Sequence, residues 1–117
     1  MHMGKLIEML LAERPFNMIS TGEKTVEVRL FDEKRREVKV GDEIKFICRE
    51  DVSRFIITKV TFLRRFETFE QLYSSEIGRD AGMKKMNAIE AAESMYEYYT
   101  RKQENKFGVL AIGLEVT

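Results

Sequence analysis

The sequence is poor in the residues on which many small enzymes and metalloproteins rely: one cysteine, one histidine, one proline and no tryptophan. A lone Cys48 cannot close an internal disulfide, and Cys48 with His2 cannot complete a zinc site, so a reducing compartment and no metal are expected. His2 is the only imidazole, which excludes Ser-His-Asp and Cys-His nucleophile arrangements. Any catalysis must run on Lys, Glu, Asp, Thr or Tyr. No apolar run approaches the ~18 residues needed to span a bilayer. The first residues also lack the charged, apolar and small-residue pattern of a secretory signal, so a cytoplasmic protein is expected. Charge of one sign is missing too, because 20 Lys+Arg balance 20 Asp+Glu. No global field therefore attracts nucleic acid or an anionic membrane, and any anion site must be a local patch.

What is present suffices for one core. The 117 residues are 44% hydrophobic, with 8 Phe and 4 Tyr, and no repeat or linker divides them, so one domain spanning residues 1–117 is expected. Residues 5–11 read as a buried strand ending before Pro15, which suits the first turn of a short helix carrying Phe16 and Ile19 and stopped by Gly22. Residues 25–30 alternate as a half-buried strand, with Val26, Val28 and Leu30 on the core face. Residues 40–42 form a turn into a strand over 43–48, where Ile44, Phe46 and Cys48 share a face. That strand pairs as a hairpin with residues 54–62. Phe66, Phe69 and Tyr73 make a helical stripe, residues 74–86 a loop, and 87–101 a helix with Ile89, Ala92, Met95, Tyr96 and Tyr99 on one side. Residues 107–116 close the chain as a strand. About five strands and two to three helices describe an α+β domain, and their spacing favours a curved sheet or barrel.

One segment is chemically denser than the rest: Gly22, Lys24, Thr25, Glu27 and Arg29. On the strand reading, Thr25, Glu27 and Arg29 project from the face opposite the core, while Gly22 shapes the turn that presents Lys24. Arg supplies a planar fork for phosphate or a base edge, Lys a point charge, and Glu an acceptor for an amino group or a proton. The same spacing also fits a solvated strand face whose charges pair for under ~1 kcal/mol. A second candidate is Tyr98, the one outward residue of the Tyr96, Tyr98 and Tyr99 cluster, beside Arg101 and Lys102, since an exposed aromatic next to bases can stack on an unpaired nucleobase.

Gly22, Lys24, Glu27 and Arg29 match G-x-K-x-x-E-x-R, and the sequence thereby resembles the ASCH domain family, named for homology to an activating signal cointegrator. Pro15-Phe16, the Gly41-Asp42-x-Ile44-x-Phe46 turn and strand, Phe66 with Phe69 and Leu72, and Phe107-Gly108-Val109 agree with it in order. The resemblance implies a small β-barrel similar to the PUA domain, in which Lys24, Glu27 and Arg29 line a cleft for RNA or a modified nucleotide or nucleoside, with no cofactor. Some relatives are small amidohydrolases that deacylate N4-acetylcytidine through a lysine, a threonine three residues later and a distant glutamate. Here the threonine position is Glu27. A hydrolase would have to use Glu27 to activate water, Lys24 or Arg29 to hold the oxyanion, and Glu76 or Asp80 as the acid. A third reading is a protein interaction domain whose charges only solvate it.

Overall fold

The structure is a computed structural model that describes residues 4–117; Met1, His2 and Met3 lie outside the described residues. Five strands build one sheet: β1 (Leu6–Leu11), β2 (Val26–Leu30), β3 (Glu43–Cys48), β4 (Phe55–Phe66) and β5 (Val109–Val116). Their order is β1-β3-β4-β5-β2, with β1 parallel to β3 and the other neighbours antiparallel. The sheet curls into a half-barrel, and the long β4 shifts register between Val60 and Phe62, a bulge that lets one strand serve both β3 and β5. β1 and β2 are the two edges.

The alternation of β5 shows how the layers are made. Leu110, Ile112 and Leu114 point into the barrel, where they meet Ile44, Phe46, Val60 and Phe16 of helix α1 (Glu13–Ser20). Val109 and Ala111 point the other way, into a second core with Val26, Val28 and Leu30. Among the described residues there are four α-helices where two or three were expected. The other three, α2 (Phe69–Ser74), α3 (Ala88–Ser94) and α4 (Arg101–Phe107), cover that second face. A 3-10 turn, Glu76–Ala81, occupies the middle of the expected loop.

The single helix expected over residues 87–101 is two. α3 gives way to a 3-10 turn, Met95–Glu97, and α4 starts afresh at Thr100, which forms a capping box with Gln103. Ile89, placed on the inward stripe by periodicity, is 62% exposed. The break lets α4 turn and deliver Glu104 into the core.

Glu104 is buried and accepts from the Phe69 N–H at 2.8 Å and the Tyr96 hydroxyl at 2.7 Å. It thus satisfies a free N-terminal donor of α2 from a remote helix. Glu104→Ala strands both donors and is expected to lower stability by about 2–3 kcal/mol, read by urea unfolding. Asp42 is the corresponding anchor on the barrel side. Its buried carboxylate accepts from the Lys39 N–H at 2.8 Å, the Lys5 N–H at 3.1 Å and Lys5 Nζ at 3.0 Å, tying the start of β1 to the Gly41 turn.

Candidate functional site

β2 is an edge strand, yet its sides are both covered. Val26, Val28 and Leu30 face the helical core, as the alternation predicts. Glu27 and Arg29 lie opposite Ile112 and Leu110 in the register and therefore share the barrel face with them. Of the two readings of this segment, the solvated face does not describe Glu27 and Lys24: Glu27 is 3% exposed and Lys24 8% exposed, because the half-barrel curls over them. Alternation reports which residues share a face; it does not report that both faces of a curled sheet are enclosed.

Burying a carboxylate requires partners, and Glu27 has them on both oxygens. Oε1 meets Lys24 Nζ at 2.9 Å and accepts from the Val28 N–H at 3.1 Å, while Oε2 accepts from Arg29 Nε at 2.8 Å. Arg29 Nη2 continues across the barrel opening and donates to the Leu10 carbonyl at 2.9 Å. The arginine thereby joins the two edge strands, β2 and β1. Burial pushes the Glu27 pKa up, but Lys24 and then Arg29 outweigh it and hold it at about 2. Burial lowers Arg29, and Glu27 followed by Tyr99 reverses that, so its guanidinium is held charged.

The turn that presents Lys24 is shaped as expected. Gly22 has φ 84°, a left-handed conformation that suits glycine, and ends α1. The Lys24 N–H donates to the Met18 carbonyl at 2.9 Å, and the Lys24 stem packs beneath Gly82, where an added Cβ would sit 3.0 Å from Cδ. Thr25 is exposed on the rim, its backbone N–H bonded to the Asp80 carbonyl at 2.9 Å. An open cleft of about 340 Å³ borders this turn, lined by Ile19, Gly22, Lys24, Thr25 and Leu114, with Glu115 as its one carboxylate.

The remaining candidates fall elsewhere. Asp80 is exposed and meets the segment through its backbone, and the Glu76 carboxylate is engaged by Arg64 at the surface. Tyr98 is 63% exposed. Its neighbour Tyr99 matters more. The Tyr99 ring stacks on Phe69 at 5.7 Å, as a core residue should, while its phenol lies within electrostatic range of Arg29, Glu27, Arg35 and Asp32. Burial pushes the Tyr99 phenol up, and it pushes Tyr73, which senses both Glu27 and Tyr99, up further. Periodicity assigned Tyr73 and Tyr99 to the core and stopped there, although a tyrosine at the edge of a core characteristically aims its hydroxyl at something polar. Among the described residues no group of three His, Cys, Asp or Glu could hold a metal ion, and no helix is long and apolar enough to cross a membrane.

The model of the ASCH domain matches residues 9–117. No curated protein matches the chain. Among solved structures, the hypothetical protein PH0355 is 32% identical, with 97% of this chain and 99% of that one covered and a TM-score of 0.84. Protein PF0455 from Pyrococcus furiosus is 30% identical, with 95% and 96% covered and a TM-score of 0.75. The ASCH protein from Zymomonas mobilis is 17% identical, with 94% of this chain and 66% of that one covered; its TM-score of 0.57 shows a shared fold. A half-barrel with a helical layer on β2 and β5, a family model over nearly the whole chain and two full-length neighbours converge: this chain belongs to the ASCH domain family.

Proposed function

We propose that the chain is a binding domain for RNA or a nucleotide, taking its ligand at the cleft bordered by Gly22, Lys24 and Thr25. The observation that carries this reading is a charge imbalance. Glu27 faces two cations in a buried cluster, so one positive charge is left over in a chain of zero net charge. A surplus buried cation beside an open cleft is a local anion site. Its low-dielectric surroundings strengthen attraction for a phosphate or an electron-rich base edge.

The hydrolytic alternative asks Glu27 to take a proton from water. A carboxylate held at about 2, with both oxygens already engaged, is a weak base, so the geometry favours binding over turnover. Incubation with N4-acetylcytidine is expected to release no acetate.

The test is an amide-resolved NMR titration with a short single-stranded RNA. Shifts are expected at residues 22–29 and at Tyr99, with a log-log salt slope near about −1 to −2, as two cations would give. Unmoved amides across residues 22–29 would overturn the reading and bring the protein interaction domain forward. Acetate release would turn the domain into an enzyme.

A further inference from the structure

A second cleft opens beside the first. It holds about 280 Å³, at the small end of ligand pockets, and lies between α2, the 3-10 turn Glu76–Ala81 and the start of α3. Its side-chain chemistry is one-sided. Arg79 and Lys84 line it, both exposed and, among the described residues, without an ion-pair partner. Ser74 adds a hydroxyl, and Asn87, whose Oδ1 is taken by the Glu90 N–H at 2.8 Å, adds its amide nitrogen. Among the described residues no carboxylate lines this cleft. Of the acids nearest in sequence, Glu76 is engaged by Arg64, Glu90 accepts from the Asn87 N–H at 3.0 Å, and Asp80 lies outside the lining. Two unpaired cations with neutral donors and no acid between them attract an anion. The same stretch of chain also borders the first cleft. The Asp80 carbonyl accepts from the Thr25 N–H at 2.9 Å, and Gly82 makes room for the Lys24 stem, whose Cδ would lie 3.0 Å from an added Cβ. Residues 79–84 thus separate two neighbouring clefts, touching Lys24 and Thr25 of one and supplying both cations of the other.

Resting on the binding reading above, we infer that a single-stranded RNA seated at the Gly22, Lys24 and Thr25 cleft continues over residues 79–84, and that Arg79 and Lys84 hold its further phosphates in the second cleft. The ligand is then an RNA strand rather than a mononucleotide. A mononucleotide fills one cleft, whereas a chain of diesters carries a charge for each, and the second contact is made at the high effective concentration that a shared strand confers. Both cations reach solvent, so a phosphate meets them without unfolding the turn.

The experiment measures the Kd of a uridine dinucleotide, tetranucleotide and octanucleotide. It is run on the wild-type chain, on the double variant Arg79→Gln with Lys84→Gln, and on a control of equal charge, Lys39→Gln with Lys59→Gln, which removes two exposed lysines outside both clefts. Each protein is checked for an unchanged thermal transition. The wild type is expected to bind the octanucleotide about tenfold tighter than the dinucleotide, the scale of one charge-assisted hydrogen bond. Its log-log salt slope should steepen by about one to one and a half, as two further cations on a single strand would give. A longer strand also offers more registers, but it offers them to every variant, so the gain is read against the double variant. Arg79→Gln with Lys84→Gln is expected to erase the gain and the steeper slope and to leave the dinucleotide Kd in place. The control is expected to keep both. Amides of residues 74–87 should shift with the octanucleotide and stay still with the dinucleotide. An octanucleotide bound no tighter than the dinucleotide, or a gain that survives the double variant, would overturn the inference and spare the binding reading. No binding by any probe would overturn both.

Discussion

Glu27→Gln is expected to lower the unfolding free energy by about 3–5 kcal/mol at neutral pH, the cost of leaving a buried charge partner uncompensated. The amide keeps the shape but leaves the Lys24 ammonium and the Arg29 guanidinium buried without a counter-charge. The effect has a pH signature. The Glu27 pKa falls from 4.5 in the unfolded reference to about 2 in the folded chain. A carboxylate whose folded pKa is depressed stabilises the protein fully above its unfolded pKa and loses that contribution as pH falls through the folded one. The wild-type chain should therefore shed on the order of 3 kcal/mol between about pH 5 and pH 2 from this group alone. Glu27→Gln has no such group, so its curve is flatter there and the two converge at the acid end. Urea unfolding of both proteins from pH 7 to pH 2 checks it. Parallel curves would mean that Glu27 is not the buried, charge-paired group described.

The second large effect is expected at Phe69, which is fully buried where the helical layer meets β2 and β5. Phe69→Ala should cost about 3–5 kcal/mol, from lost burial and the cavity left behind. Its ring stacks on Tyr99 and meets Tyr96 edge-on at 6.0 Å. Phe69→Leu retains most of the volume and should cost less, about 1–2 kcal/mol, chiefly the lost aromatic contacts. Because Tyr99 rests on this ring, Phe69→Leu should also weaken RNA binding although Phe69 itself is fully buried. A folded Phe69→Leu protein with unchanged affinity would show that Tyr99 is held by other contacts. Denaturant unfolding and RNA titration read the two effects separately.

Much of the fold was legible because strand alternation and helical spacing are local signals. The alternation of Val26, Val28 and Leu30, the Gly41-Asp42 turn, and the hairpin of β3 and β4 are set by residues within a few positions of one another. The break between α3 and α4 was legible but missed: Thr100 and Gln103 have the spacing of a capping box, and a helix start at 100 ends the one before it. The burial of Glu27 and Lys24 was not legible. It depends on the curl of the whole sheet and on Arg29 reaching Leu10 on the opposite edge, contacts 19 residues apart in sequence. The same holds for Glu104, whose partner Phe69 lies 35 residues away. Recognising the G-x-K-x-x-E-x-R spacing located the charged segment; only the fold shows it to be a buried cluster rather than a charged surface.

That distinction decides how the central claim is tested. Removing Lys24 and Arg29 together suits an exposed pair, but with Lys24 buried and Arg29 largely so it would leave Glu27 alone in the barrel and confuse unfolding with lost affinity. The informative protein is Lys24→Met, Glu27→Gln and Arg29→Met combined, which removes all three charges at once and is tolerated where single removals are not. The decisive measurement is its affinity for a short single-stranded RNA, with its fold verified by the dispersion of its amide spectrum. The account predicts a folded protein whose affinity falls about a hundredfold or more, the sum of two charge-assisted contacts. A folded triple variant that binds the RNA as tightly as the wild type would contradict it.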